Sequence, residues 1–155
     1  MAIGLPQLMT RRWIERPLNA AMATVLSSPL HVIVSSRLLL MLIPGRRTGR
    51  IYRVPAGYAQ HGDELFIGTG LTQWRRNLQA APEITVVLRG QSRRARTEVI
   101  TDEDRVVDLY RHILQAGLVH ARYAGIHADS DGAPNRADLR TALANGMALV
   151  HLTLL

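Results

Sequence analysis

The spacing of apolar and polar positions divides the chain into segments of different period. Residues 18–36, LNAAMATVLSSPLHVIVSS, form an uncharged stretch of nearly membrane-spanning length. Asn19, the serines and Pro29 argue against a span. Leu38–Ile43, LLLMLI, is a short unbroken apolar run and predicts a buried strand. From Ile51 to Ala59 the pattern alternates, with Tyr52, Val54, Ala56 and Tyr58 on one face and Arg53, Pro55 and Gly57 on the other. Gln60-His61-Gly62-Asp63 reads as a hairpin turn and Glu64–Thr69 as its return strand. Pro55 within a strand implies a sheet edge, and the bare positions Gly57 and Gly68 suggest close approach of a ligand or another backbone.

The second half continues the alternation of types. Thr72–Ala80 predicts a short helix that stops before Pro82. Ile84–Arg89 and Arg93–Ile100 predict a second hairpin around Gly90-Gln91. Thr101 is the expected N-cap of a helix with Asp102, Glu103 and Asp104 in its first turn, where the helix dipole favours carboxylates. Val106, Leu109, Tyr110, Ile113 and Leu114 supply its apolar stripe. A further helical stretch covers Val119–Ile126, a loop Asp129–Pro134, and a helix capped by Asn135 ends near Asn145-Gly146. Met147–Leu155 is a last strand. Hairpins with helices between them, and no βαβ rhythm, predict an α+β domain: an antiparallel sheet or small barrel with flanking helices. The chain divides into an N-terminal helical segment, residues 1–36, and a barrel domain, residues 37–155.

Composition adds the polarity of the charge. The 155 residues carry a net charge of +7 and no cysteine, so a disulfide, a thiolate metal site and a cysteine nucleophile are excluded, and a reducing cytosol is allowed. Up to Gly62 there are eight arginines and one acid, and from Asp63 onward eleven arginines balance eleven acids. The excess therefore belongs to the N-terminal part and should face an anion. Arg12, Trp13 and Arg16 have the composition of a basic interfacial helix, which packs on its own domain or a second subunit, the plainer reading, or lies on an anionic membrane surface. Aromatic residues make up 5% and do not interleave with the arginines, and no helix-turn-helix, zinc-finger or RNA-binding signature is present, so nucleic acid is not the expected anion.

The densest charge is the turn PGRRTGRIYRV. Glycines allow successive N–H groups to point into a concave nest, and arginines add bidentate donors for carboxylate or phosphate. Arg46, Arg47 and Thr48 are the candidates, with Arg53 within reach if its strand face lines the cleft. The spacing is not that of a Walker loop, nor is it GxGxxG. A solvated hairpin turn is the bland alternative. His112, His120 and His127 lack a completing carboxylate pattern for a metal, and HADSDGAPNRAD only outlines a calcium loop.

GRRTG followed by Pro55, then the Gly-Asp turn, WRRNLQAAPEITVVLRG and a TDED helix start together resemble the deazaflavin-dependent nitroreductase family. The similarity runs from about Ser28 to Ala116. It implies a split β-barrel (of the kind that also binds flavin mononucleotide) with flanking helices, and coenzyme F420 as cofactor. The implied activity is hydride transfer from the reduced deazaflavin to a quinone, nitro compound or activated alkene. The resemblance places Arg46, Arg47 and Thr48 on the coenzyme's phosphate and anionic tail. It places Tyr52, Arg53, Val54, Pro55, Ala56 and Gly57 beside the deazaflavin, Gly68, Thr69 and Gly70 near it, and Trp74, Arg75, Arg76 and Asn77 closing over it. It also implies a homodimer; a cytoplasmic location is expected from the residues, with peripheral contact of the N-terminal segment to the cell membrane's inner face as the finer expectation. Departures are the short loop between Thr69 and Trp74, Leu71 where a basic residue is frequent, and Ala116–Val119 where some members place pocket tyrosines. They bear on substrate more than on coenzyme. Catalytic residues stay unassigned, with Tyr123 or solvent as proton donor. The alternative function is a non-catalytic, or an FMN- or haem-using, split-barrel protein that binds a fatty-acid-like ligand at the membrane.

Overall fold

The computed structural model describes residues 37–155. The helix expected within residues 1–36, with its membrane or packing role, lies outside the described residues. The apolar run becomes strand β1 (Leu38–Pro44), in which Leu39, Met41 and Ile43 are fully buried on one face. β1 is paired on both sides, with β2 (Ile51–Gly57) and with β5 (Glu83–Leu88), as a strand apolar on both faces requires. The remaining strands are β3 (Ala59–His61), β4 (Glu64–Thr69), β6 (Gln91–Ile100) and β7 (Ala148–Leu154). All seven form one antiparallel sheet in the order β2-β1-β5-β6-β7-β4-β3.

The sheet is curled into a half-barrel. Val54 of β2, near one edge, and Leu65 and Ile67 of β4, near the other, belong to a single buried cluster with Ile43, Val86, Ala95 and Val150. A flat sheet keeps such strands apart. The helix α1 (Gln73–Gln79) closes this core with Leu78 and the half-buried Trp74. On the other face of β4 and β7, helices α2 (Glu103–Gln115), α3 (Val119–Ala124) and α4 (Arg136–Ala144) build a second core around Phe66, Tyr110, Ile113, Leu139 and Leu149.

Three expectations are corrected. The strand foreseen over Ile51–Ala59 is two strands: β2 pairs with β1 and β3 pairs with β4, at opposite edges of the sheet. The break falls at buried Tyr58, whose N–H donates to the Arg37 carbonyl at 3.3 Å. The N-cap of α2 is Asp102, not Thr101, because the Asp102 carboxylate accepts the Arg105 N–H at 3.0 Å. The second hairpin turns at Arg89-Gly90, one residue early, where φ values of 50° and 78° give the twist of a two-residue loop, so Leu88 pairs with Gln91. Pro55 does lie on an edge strand, facing Leu40, where its missing N–H costs no ladder bond on the open side. Asn135 caps α4 by accepting from the Asp138 N–H at 3.0 Å. α3 ends at Gly125, so His127 lies beyond the helix and contacts Asp138 instead of lining up with His120.

Candidate functional site

The turn from Gly45 to Arg50 joins β1 to β2 and is held by its own backbone. The Gly45 N–H donates to the Arg50 carbonyl at 2.8 Å, and the Gly49 N–H to the Gly45 carbonyl at 2.9 Å. Gly49 has φ of +72°, a region that glycine enters without a Cβ penalty. A Cβ on Gly45 would stand 2.9 Å from the Tyr52 ring. Tyr52 therefore packs on the turn and remains 43% exposed, with the Arg50 guanidinium 5.9 Å from its ring centre. It is not a core residue, whereas Tyr58 is. Thr48 spends its acceptor inside the turn, taking the Arg50 N–H at 3.3 Å.

α1 braces this turn from one side. The buried Asn77 presents Oδ1 to two donors of Arg46, the backbone N–H at 3.3 Å and the guanidinium Nη1 at 2.9 Å. With Oδ1 committed to Arg46, Nδ2 is turned away, and it has no partner among the described residues. Arg75, two residues earlier, reaches in the other direction. Its Nη1 donates to the carbonyls of Gly70 at 3.2 Å and Gly146 at 2.5 Å. A seven-residue helix thus ties the β1–β2 turn to the end of β4 and the approach to β7. Arg75 is occupied as a brace, while Arg76 is exposed.

Among the described residues the arginines of the turn have no side-chain carboxylate as local counter-charge, a property they share with Arg37, Arg93, Arg96 and Arg122. Arg94, Arg105, Arg111, Arg136 and Arg140 each lie within 4 Å of a carboxylate. Among the described residues Arg46, Arg47, Arg50, Arg53 and Arg76 have no such partner. Arg46, Arg47, Arg50 and Arg53 are all exposed. Concentrated cations without counter-charges repel one another, and a bound anion relieves that repulsion.

Not every expected site residue comes to this surface. Arg46, Arg47, Thr48, Tyr52 and Arg53 belong to the turn and the strand leaving it, and Asn77 joins them through its bond to Arg46. Val54 points into the barrel core, and Pro55, Ala56 and Gly57 lie half-buried along the open edge. Thr69 is buried and its hydroxyl donates to the Gly70 carbonyl at 3.3 Å. Gly68 is bare for a reason other than a ligand or a second backbone. A Cβ there would fall 2.2 Å from Nδ1 of His120, whose ring fills the space. No local signal pointed to that contact, nor to the bond between Tyr110 and His120 behind it. The Arg46–Asn77 bond had a faint signal: an amide beside Leu78 in a short helix that faces a core must find a buried partner.

The fold agrees with comparisons to known proteins. The family model described as F420H(2)-dependent quinone reductase matches residues 18–129, well over half of the chain. No curated protein matches. The fold is that of an F420-H2 dependent reductase (TM-score 0.54, 13% identity, covering 75% of this chain and 93% of that one). A structure described as a domain-swapped dimer is similarly related (TM-score 0.56, 14% identity, 95% and 98%). So is an FAD-binding protein from Mesorhizobium loti (TM-score 0.50, 16% identity, 83% and 90%).

Proposed function

Because this chain belongs to the F420H(2)-dependent quinone reductase family, and is thereby an F420-dependent oxidoreductase, we propose that the β1–β2 turn and α1 grip the coenzyme's anionic tail and that a quinone is the acceptor. The observation that carries the site is the set of exposed arginines without carboxylate partners on a turn that α1 holds rigid. The residues fit the group: a polyanionic tail requires several cations without internal partners, and Arg46, Arg47 and Arg53 provide them.

When bound, the reduced coenzyme supplies the hydride. The protein's part is to hold and orient. Arg47 and Arg53 would pair with tail oxygens, while Arg46 would do so from a position fixed by Asn77. The Nδ2 of Asn77 would add a neutral donor beside that guanidinium. The half-buried edge from Pro55 to Gly57 offers backbone with little side-chain bulk to a flat ring. Trp74 would wall the site from α1, on the core side of which it already packs. Homodimer formation is part of the same proposal, supported by the domain-swapped dimer among the similar structures, and light scattering of the purified chain tests it. No described helix is long and apolar enough to cross a membrane.

The test is oxidation of F420H(2) by the full chain with a short-chain quinone, a nitroaromatic and a cyclic enone in parallel. The proposal expects the quinone to give the highest kcat/KM, and Arg47→Ala to raise KM for the coenzyme with a smaller change in kcat. Preference for either other acceptor would overturn the quinone assignment and leave the coenzyme site standing.

A further inference from the structure

Four of the six histidines lie between the sheet and the helices α2 and α3. The ring of His112 on α2 stacks on His61 of β3 at 5.0 Å and on Phe66 of β4 at 4.4 Å, and Phe66 stacks on His151 of β7 at 5.1 Å. On α3, Nδ1 of His120 lies 2.7 Å from the hydroxyl of Tyr110, and the ring presses on the bare Cα of Gly68.

These rings differ in their provision for charge. His151 has the Glu64 carboxylate at 3.1 Å and Glu98 at 4.0 Å, and Glu98 is itself bonded to Arg105 of α2. His112 stacks on another imidazole and a phenyl ring and, among the described residues, has no carboxylate within 4 Å. His120 contacts a fully buried phenol and a glycine. In the Nε2–H tautomer Nδ1 of His120 accepts from the Tyr110 hydroxyl, and a proton added there removes that acceptor inside a buried layer. The other charges of α2 that face α4 and the loop before it, Glu103, Asp104 and Arg111, are already paired with Arg136, Arg140 and Asp131.

We propose that helices α2 and α3 are seated on β3 and β4 by neutral histidines, so that acid unseats these helices while the half-barrel core stays folded. Burial, then the neighbouring His61, holds His112 below the usual imidazole value, with His151 adding and Glu64 opposing; burial alone does the same for His120. The seated state therefore binds fewer protons than the released state. Its stability is complete above the ordinary imidazole value of about 6.5 and is lost as pH falls through the lowered values. Because α3 rests on Gly68, release would free the end of β4 that runs to Gly70 and the Arg75 brace.

Hydrogen exchange of the full chain between pH 7.5 and 5.0, corrected for intrinsic rates, tests this. Amides of α2 and α3 should lose at least 10-fold in protection while β1, β5 and β6 keep theirs. His112→Phe, which keeps the stack, together with His120→Gln, which keeps an acceptor for Tyr110, should abolish that pH dependence. If the double variant does not fold, each single variant should reduce it. NMR of the imidazole carbons should show His112 and His120 titrating below the ordinary value. Uniform loss of protection across helices and sheet, or a pH dependence that survives the substitutions, would overturn the proposal.

Discussion

Asn77 separates two roles that a sequence motif merges. Its Oδ1 serves Arg46 at 2.9 and 3.3 Å, so it acts first as a positioning residue for the turn. Asn77→Asp should therefore be more harmful than its size suggests. The new carboxylate would pair with Arg46 and neutralise the cation that the coenzyme needs. F420 affinity should fall about 10- to 100-fold, the range of one lost charged hydrogen bond, with thermal stability nearly unchanged; calorimetric titration beside a melting curve checks both. Arg46 and Arg47 should likewise separate. Arg47→Ala removes an exposed, unpaired cation and should change stability by less than about 0.5 kcal/mol. Arg46→Ala also strips a donor from Asn77 Oδ1 and should cost about 1 kcal/mol. Both should weaken coenzyme binding at least 10-fold. Gly68→Ala drives a Cβ into a ring that Tyr110 holds in place. It should destabilise by about 1–3 kcal/mol, as overpacking does, and much less in a His120→Ala background, which denaturant titration of the double-mutant cycle would show. The arginines of the turn could be read from the sequence because charge density and glycine spacing are local. The contact of Gly68 with His120 could not, because it joins a strand to a helix 52 positions away.

At the scale of elements, the short α1 is the brace on which the candidate site depends. It touches the β1–β2 turn through Asn77 and the loop ends at Gly70 and Gly146 through Arg75. Its existence was legible from Thr72–Ala80 and Pro82, but its two-sided bonding was not, since hydrogen-bond partners depend on how the sheet curls. The split of Ile51–Ala59 into β2 and β3 was hidden for the same reason. Alternation continues through Tyr58, and only the pairing of each half with a different strand reveals the break. The cap of α2 was displaced by one residue because Thr101 and Asp102 are both good caps; geometry chose Asp102. Asp102→Ala should accordingly cost about 1 kcal/mol and Thr101→Ala much less, measured by denaturant unfolding of each.

At the scale of the molecule, the sequence's charge asymmetry becomes a spatial one. Glu83, Glu98, Glu103, Asp104 and Asp131 pair with arginines on β6 and the helices, while the arginines of the β1–β2 turn have no carboxylate partner among the described residues. An antiparallel sheet or small barrel was legible from hairpins with interposed helices, the split barrel itself was implied by the family resemblance, and membership in the F420H(2)-dependent quinone reductase family agrees with both. The central claim is that this turn is the grip on the coenzyme. Its most direct test is a fluorescence titration of the full chain with F420 at low and high salt, beside Arg47→Ala and beside flavin mononucleotide. Saturable F420 binding is expected that weakens with salt, weakens at least 10-fold in the variant, and exceeds that of flavin mononucleotide. F420 binding of equal strength in the wild type and Arg47→Ala, indifferent to salt, would contradict it.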